Sequence, residues 1–273
     1  MPKSQVPNLK FLIAYCSLFI LLAACTTPDD VWNRVLETGT LRVGMDASFP
    51  PFEFVAADGT LTGFDVALAR ELGRRMGVDV QFVANLPYDG LYDALTVDRV
   101  DVVISALVVN PDRMSDFAYS ASYFDAGQVL VVQGSEGAGG RRPGTIEGMA
   151  DLDGRVLAVE FGSRGDMEAR KWAQRLSDLT VAPYQTAAEA LTAITAGEAD
   201  VALVDRVSAL AAIGKIPRVL ENPWGLEPVV KEPYAVAVRK ESQHLLRAIN
   251  EALAEMQTDG TLEMLVERWM LSQ

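Results

Sequence analysis

Cysteine is nearly absent: the 273 residues hold two, Cys16 and Cys25, both near the start of the chain. Nothing downstream of them can be oxidised to a disulfide, so the folded part must be held together by its core alone. Histidine is scarcer still. The single one, His244, lies in a C-terminal helical pattern and reads as structural, which leaves a Cys/His metal or nucleophile site unsupported. Basic residues are in deficit, 24 against 37 acidic for a net charge of -13; that balance repels phosphate backbones and argues against nucleic acid as a partner. After residue 24 no apolar stretch approaches the length that spans a bilayer.

What is present begins with MPKSQVPNLK FLIAYCSLFILLAAC: two lysines, an apolar stretch over residues 11 to 24, small residues and a cysteine. That order reads as a secretory signal over residues 1 to 25. Leu22-Ala23-Ala24-Cys25 resembles a bacterial lipobox, in which Cys25 becomes the lipidated first residue; the other reading is an ordinary signal cut near Ala24. Either cut exports the protein and leaves 22 of its 24 basic side chains, since Lys3 and Lys10 depart with the leader. A hydrophobic content of 49% suffices for real cores.

Downstream, residues 26 to 39 form a tether carrying a helical segment over 30 to 38, and LRVGM (41 to 45) reads as a buried strand. Pro50-Pro51 breaks regular structure, and FEFV, AADG and TLTG follow as strand, turn and strand. Phe64, Leu68, Leu72 and Met76 recur at helical spacing, with Asp65 placed to suit the helix dipole. VDVQFV is a strand, residues 88 to 97 a helix, and VDVVISALVV a strand buried on both faces. A weakly structured stretch, GSEGAGGRRPG, separates this from a second unit: strand VLAVE, a helix after FGSRGD, strand TVAPY, a helix over 186 to 195 and strand DVALV. The segments ALTVDRVDVVIS (94 to 105) and AITAGEADVALV (193 to 204) align without a gap, each a helix end, a turn and a buried strand. This predicts two α/β lobes of similar build, over 40 to 130 and 131 to 228, with a tail over 229 to 273 whose strand PYAVAVRK returns to the first lobe. Two crossovers, near 128 to 132 and 227 to 237, become the hinge.

In open α/β sheets ligands collect beyond the carboxyl ends of the strands, and clefts between lobes are favoured pockets. The ends in question carry Asp46 with Phe49 behind it, Ser105 leading to Arg113, the turn Gly162-Ser163-Arg164, and Asp205. With Tyr88 they offer a guanidinium, a carboxylate, a helix N-terminus and aromatic walls, a set that fits a small zwitterion. Plainer readings stand beside these. Arg113 suits a surface ion pair, Asp205 a helix N-cap, and Phe49 and Tyr88 a core. Arg164-Gly165-Asp166 spells an adhesion tripeptide, too short to carry a function.

The blocks LRVGMDASFPPFEF, LTGFDVALARELGRRMG, YDGLYDAL, DVVISALVVNPDRMSDFAYS, ADVALVD and EPYAVAVRK together resemble the bacterial solute-binding proteins of polar amino-acid ABC transporters, family 3. The resemblance runs from about residue 41 to 269. It implies a two-lobed periplasmic-binding-protein-like fold of type II, an exported monomer, a free amino acid as ligand, an ABC permease as membrane partner, no cofactor and no metal. Arg113 would grip the ligand α-carboxylate and Asp205 the α-ammonium. Ser105, with the backbone at Ala106 and Val108, would complete these contacts; Asp46, Phe49 and Tyr88 would enclose the ligand; Gly162, Ser163 and Arg164 would form an N-H-donating turn. Val108 stands where a hydroxyl residue is common. Arg164 replaces a small hydroxyl residue, and it either points into the cleft toward an acceptor-rich ligand or snorkels to water. The same fold also hosts periplasmic cyclohexadienyl dehydratases, for which Glu160 and Asp166 are the candidate acids by position; a sensor that presents its ligand to a receptor is a third reading.

Overall fold

A computed structural model describes residues 30 to 132, 146, 148 to 212, 215 and 227 to 271. The leader with Cys25 and the stretch over 134 to 144 lie outside the described residues. Helix α1 (Asp30–Thr38) buries Val31 and Val35, so this part of the expected tether is built into the body of the protein. Strand β1 (Thr40–Gly44) follows, then a small antiparallel sheet of β2 (Ser48–Phe49), β3 (Glu53–Val55) and β4 (Leu61–Thr62). Helix α2 (Phe64–Met76) buries Phe64, Leu68 and Leu72 and stops at Gly77, whose left-handed φ of 72° lets the chain turn into β5 (Asp79–Val83). The expected helix over 88 to 97 is a 3-10 turn, Tyr88–Gly90, followed by α3 (Leu91–Thr96).

The long strand expected over 100 to 109 is reduced to β6 (Val102–Val103). Beyond it the backbone leaves the sheet, with Ala106 at a φ of 42°, because a buried carboxylate claims its N-H. Three strands then lead across: β7 (Phe117–Tyr119), β8 (Phe124–Asp125) and β9 (Gln128–Val132). The second unit runs β10 (Val156–Glu160), α4 (Arg164–Ala173), β11 (Thr180–Tyr184), α5 (Ala187–Ala196), β12 (Val201–Asp205) and α6 (Arg206–Ala212). The tail holds β13 (Pro233–Tyr234), β14 (Ala237–Arg239), α7 (Gln243–Thr258) and α8 (Thr261–Val266), then a last turn, Glu267–Leu271.

The two larger sheets are ordered β5-β1-β6-β14-β7 and β11-β10-β12-β9, and β13 pairs with β8. In each, the strand that opens the unit is flanked by two parallel neighbours, and an antiparallel strand follows: β14 beside β6, β9 beside β12. Both sheets are packed on both faces. Val102 and Val103 point into different apolar clusters, as do Ala202 and Leu203. Between the sheets, residues 124 to 128 and 229 to 234 run side by side: Gln128 N-H donates to Val230 O (2.8 Å), Val229 N-H to Gln128 O (2.8 Å) and Ala126 N-H to Glu232 O (3.1 Å). Gly127 allows this closeness, since a Cβ there would stand 1.9 Å from Val230 O. The last turn packs on α6, so the tail touches both units.

The aligned segments fold alike to the hydrogen bond. Asp98 (φ 57°) and Gly197 (φ 75°) occupy the same left-handed position after their helices. Three residues on, Asp101 Oδ2 accepts from Arg42 N-H and Asp200 Oδ2 from Val156 N-H, both at 2.8 Å, tying each strand to the start of its neighbour. The two differ in setting. Asp101 is buried and paired with Arg34 and Arg42, whereas Asp200 is more open and reaches Arg155 only at 3.9 Å. Burial raises Asp101 to a pKa of about 6 although the Arg34 charge pulls it down. Removing one member of a buried ion pair strands the other, at a cost of about 3 to 5 kcal/mol, while an open pair is worth about 1 kcal/mol or less. We therefore expect Asp101→Ala to lower the urea midpoint several-fold more than Asp200→Ala; equal losses would contradict the difference in burial.

Candidate functional site

The loop that leaves β6 is built on two buried carboxyl groups. Phe64 N-H donates to Pro51 O and Asp65 N-H to Phe52 O, so the start of α2 lies along residues 51 to 53. Gly63 makes this possible, because a Cβ there would meet Phe52 O at 2.1 Å. Glu53 and Asp65 are thereby brought together inside the protein, 1% and 0% exposed. Asp65 accepts from Ala106 N-H (2.6 Å) and from the Tyr123 hydroxyl (3.0 Å). Glu53 Oε1 accepts from the Ser105 hydroxyl (2.8 Å), whose oxygen accepts in turn from Asp46 N-H (3.0 Å).

The other oxygens of the pair, Glu53 Oε2 and Asp65 Oδ1, have no hydrogen-bond partner elsewhere. One proton held between them satisfies both. Burial, then the charge of Asp65, drive Glu53 far up, to about 10, so that the proton resides on Glu53 at neutral pH. Burial also lifts Asp65, while the bonds from Ala106, Glu53 and Tyr123 hold it lower. Asp65 keeps its expected place in the first turn of α2 but is fully buried there. It is the group that pins Ala106 in its left-handed conformation.

Past the loop, the Tyr88 hydroxyl takes a hydrogen bond from the Val108 backbone, and burial raises its pKa. Arg113 lies with its guanidinium carbon 5.2 Å from the Tyr92 ring centre, and the Tyr92 and Tyr119 hydroxyls meet at 2.7 Å. Among the described residues no carboxylate pairs with Arg113, which is exposed on a short 3-10 turn, Pro111–Arg113. Phe49 is half exposed and stacks on buried Phe52 at 5.7 Å. Asp46 is partly covered and accepts from the Ser48 hydroxyl (2.7 Å). The first unit thus presents an unpaired guanidinium on an aromatic rail formed by Tyr88, Tyr92 and Tyr119.

In the second unit, Gly162 (φ 75°) turns the chain off β10 and its N-H donates to buried Asp166 (3.0 Å). Ser163 caps α4, its hydroxyl accepting from Asp166 N-H (3.1 Å). Arg164 pairs with Glu232 (2.6 Å) beside β13; the side chains are 47% and 25% exposed. At the end of β12, Asp205 accepts from Ser208 N-H (2.8 Å) and remains partly exposed, so it caps α6 and keeps a free oxygen edge. Of the candidate acids, Asp166 is buried and ion-paired with Arg170 (2.8 Å). The tripeptide that begins at Arg164 is likewise not on display, since Gly165 is packed against Gln128 and Leu203 O.

Two expectations change. Ser105, expected to touch ligand, is fully buried and its hydroxyl is taken by Glu53 and Asp46, so it acts from beneath the loop. Arg164 reaches solvent but does not project alone, because Glu232 pairs with it. Sequence reasoning missed Glu53, Tyr92, Tyr123 and Glu232. One signal was available for Glu53: an acid enclosed by aromatics directly after a Pro-Pro break is costly unless partnered.

The geometry can be set beside known proteins. Residues 41–272 match the family model described as bacterial extracellular solute-binding proteins, family 3. An L-cystine-binding protein of Escherichia coli is 35% identical over 242 residues, 88% of this chain and 86% of its own. The L-cystine solute receptor of Neisseria gonorrhoeae, solved unliganded and open, is 28% identical with a TM-score of 0.72, over 88% of this chain and 96% of its own. An ancestral cyclohexadienyl dehydratase is 28% identical with a TM-score of 0.69, over 90% and 97%.

The shared proton has a measurable consequence. Folded Glu53 keeps its proton where the unfolded side chain, with an ordinary value of 4.5, has lost it. The folded state therefore binds the extra proton across that window, and the stabilisation is whole in acid and declines as pH rises from about 4.5 toward about 10. Glu53→Gln keeps a donor for Asp65 but cannot ionise. Its unfolding free energy relative to the parent should climb by roughly 1 kcal/mol per pH unit or less between pH 5 and 9; a pH-independent difference would exclude the shared proton.

Proposed function

The chain belongs to the bacterial extracellular solute-binding proteins, family 3, and from that premise we propose that it binds an amino acid outside the cytoplasm and delivers it to an ABC permease. The observation that carries this reading is Arg113: an exposed guanidinium with no carboxylate partner among the described residues, its carbon 5.2 Å from the Tyr92 ring centre, on the 3-10 turn past the loop that leaves β6. A bidentate carboxylate on such a fork contributes about 1.5 to 3 kcal/mol once water is excluded. Asp205, with a free edge across from it in the second unit, suits the α-ammonium. Phe49 and Tyr88, half exposed, supply apolar walls. Gly162 and Ser163 supply the turn at the head of α4, and Ala106 and Val108 the backbone of the facing loop.

Lobes over 40 to 130 and 131 to 228, with the return over 229 to 273, close about the paired crossover strands. Ligand held first by Arg113 then meets Asp205, so binding and closure form one equilibrium. The protein works as a monomer without cofactor, exported and tethered through Cys25. Binding rather than catalysis fits the candidate acid Asp166, which is committed to Arg170 and to the turn, whereas dehydration needs an acid free to exchange a proton with ligand.

The test is a calorimetric titration of refolded, ligand-stripped protein with the common amino acids and with prephenate. One or a few amino acids should bind, and Arg113→Ala should lower that affinity about 100-fold or more while leaving the urea midpoint in place. Retained affinity would refute the carboxylate role, and release of phenylpyruvate from prephenate would establish the dehydratase instead.

A further inference from the structure

The rim of the site carries a second pair of opposite charges that the binding of a simple amino acid leaves unused. Arg164 donates one N-H to Glu232 Oε2 at 2.6 Å, and its other terminal nitrogen lies 3.5 Å from Lys231 O. Most of the donors of its fork thus remain open, as does Glu232 Oε1, and both side chains reach solvent. The pair borders the same wall as the proposed site. Glu232 directly precedes β13, whose Pro233 O accepts from Val109 N-H (3.0 Å) and whose Tyr234 bridges to Val108, so the pair sits beside the loop that leaves β6.

We propose that Arg164 and Glu232 clamp the far end of a ligand that carries two α-amino-acid groups. In this arrangement Arg113 and Asp205 hold one carboxylate and ammonium, and Arg164 and Glu232 hold the other. The inference rests on the amino-acid-binding reading above and sharpens it to a ligand class: diamino dicarboxylic acids whose two zwitterionic ends are joined by a short apolar or sulfur-containing bridge. Two similarities point the same way, since the Escherichia coli and Neisseria gonorrhoeae relatives are named for L-cystine, a molecule of this class. A preformed ion pair suits the task. Each partner already compensates the other in the empty site, and a second zwitterion completes a ring of alternating charges without breaking the pair.

The experiment is isothermal titration of the refolded chain, without reductant, with L-cystine and L-cystathionine as two-ended ligands and S-methyl-L-cysteine and L-methionine as one-ended controls. The parent protein should prefer the two-ended ligands at least about 10-fold. Arg164→Ala and Glu232→Gln should each erase that preference, lowering two-ended affinity about 10- to 100-fold while leaving one-ended affinity within about threefold. Glu232→Gln is nearly isosteric and serves as the folded control, checked by its thermal midpoint. Equal affinity for both classes in the parent, or a preference that survives both substitutions, would overturn the clamp and leave amino-acid binding intact. Failure of every amino acid to bind, or undiminished binding by Arg113→Ala, would instead overturn the underlying reading.

Discussion

Two buried carboxyl groups, Glu53 and Asp65, fasten the segments around residues 46, 53 and 105 to one another. Glu53 and Asp65 are out of water, and two charges there would repel at close range with no cation nearby to offset them. One neutral and one ionised group solve this, and the ionised one becomes a strong acceptor. Asp65 uses that strength on Ala106 N-H and Tyr123, while Glu53 orients Ser105 and through it Asp46. The three strand-end segments that face the cleft, around residues 46, 53 and 105, are thereby fastened to one another. A left-handed alanine costs about 1 kcal/mol or more, and a charge-assisted bond to a buried carboxylate offsets it.

The rigid parts on either side of the cleft are two versions of one motif. Each opens with a strand one of whose N-H groups, Arg42 in β1 or Val156 in β10, is captured by the aspartate just before a parallel neighbour, Asp101 before β6 or Asp200 before β12, and each reaches that aspartate through a left-handed residue after a helix. This fixes the register of the central strands from their amino ends and leaves the carboxyl ends to diverge. Flexibility is left to the crossovers, where Gly127 lets two chains approach closer than any side chain permits. On the proposed reading, closure would move intact surfaces, with the geometry at Arg113 and at Asp205 set beforehand.

Much of this was legible in the residues. The helical spacing of Phe64, Leu68, Leu72 and Met76 located α2, the segments VLAVE and TVAPY match β10 and β11, and the ungapped match of 94 to 105 with 193 to 204 anticipated the repeated helix, turn and strand. What was not legible shares one cause: it depends on residues far apart in the chain. The shortened β6 follows from Asp65 claiming Ala106, 41 positions away. The burial of Ser105 follows from Glu53, and the engagement of Arg164 from Glu232, 68 positions on. Local pattern marks a charged residue as exposed unless a partner is known, and partners across such distances carry no local signature. Aromatic support for Arg113 was hidden for the same reason, because Tyr92 reads as one more residue of a short amphipathic helix.

Charge decides why such a machine should wait for its ligand. The chain is acidic, at -13, and its cleft as proposed sets an unpaired guanidinium on one side against a carboxylate that already serves a helix cap on the other. Closing the cleft empty would strip water from Arg113 and from the open edge of Asp205 without supplying either with a partner at bonding distance, and desolvating an uncompensated charge costs several kcal/mol. A zwitterion removes both penalties at once, because its carboxylate and ammonium are spaced to reach the two sides together. Differential affinity for the closed form then arises from the penalties the ligand cancels as well as from the contacts it adds. Arg164 and Glu232 escape that cost by pairing with each other, so they can be carried into a closed site without opposing closure. On the proposed reading, Arg113 and Asp205 oppose closure of the empty protein, a ligand that satisfies both removes that opposition, and the second pair would add selectivity to it.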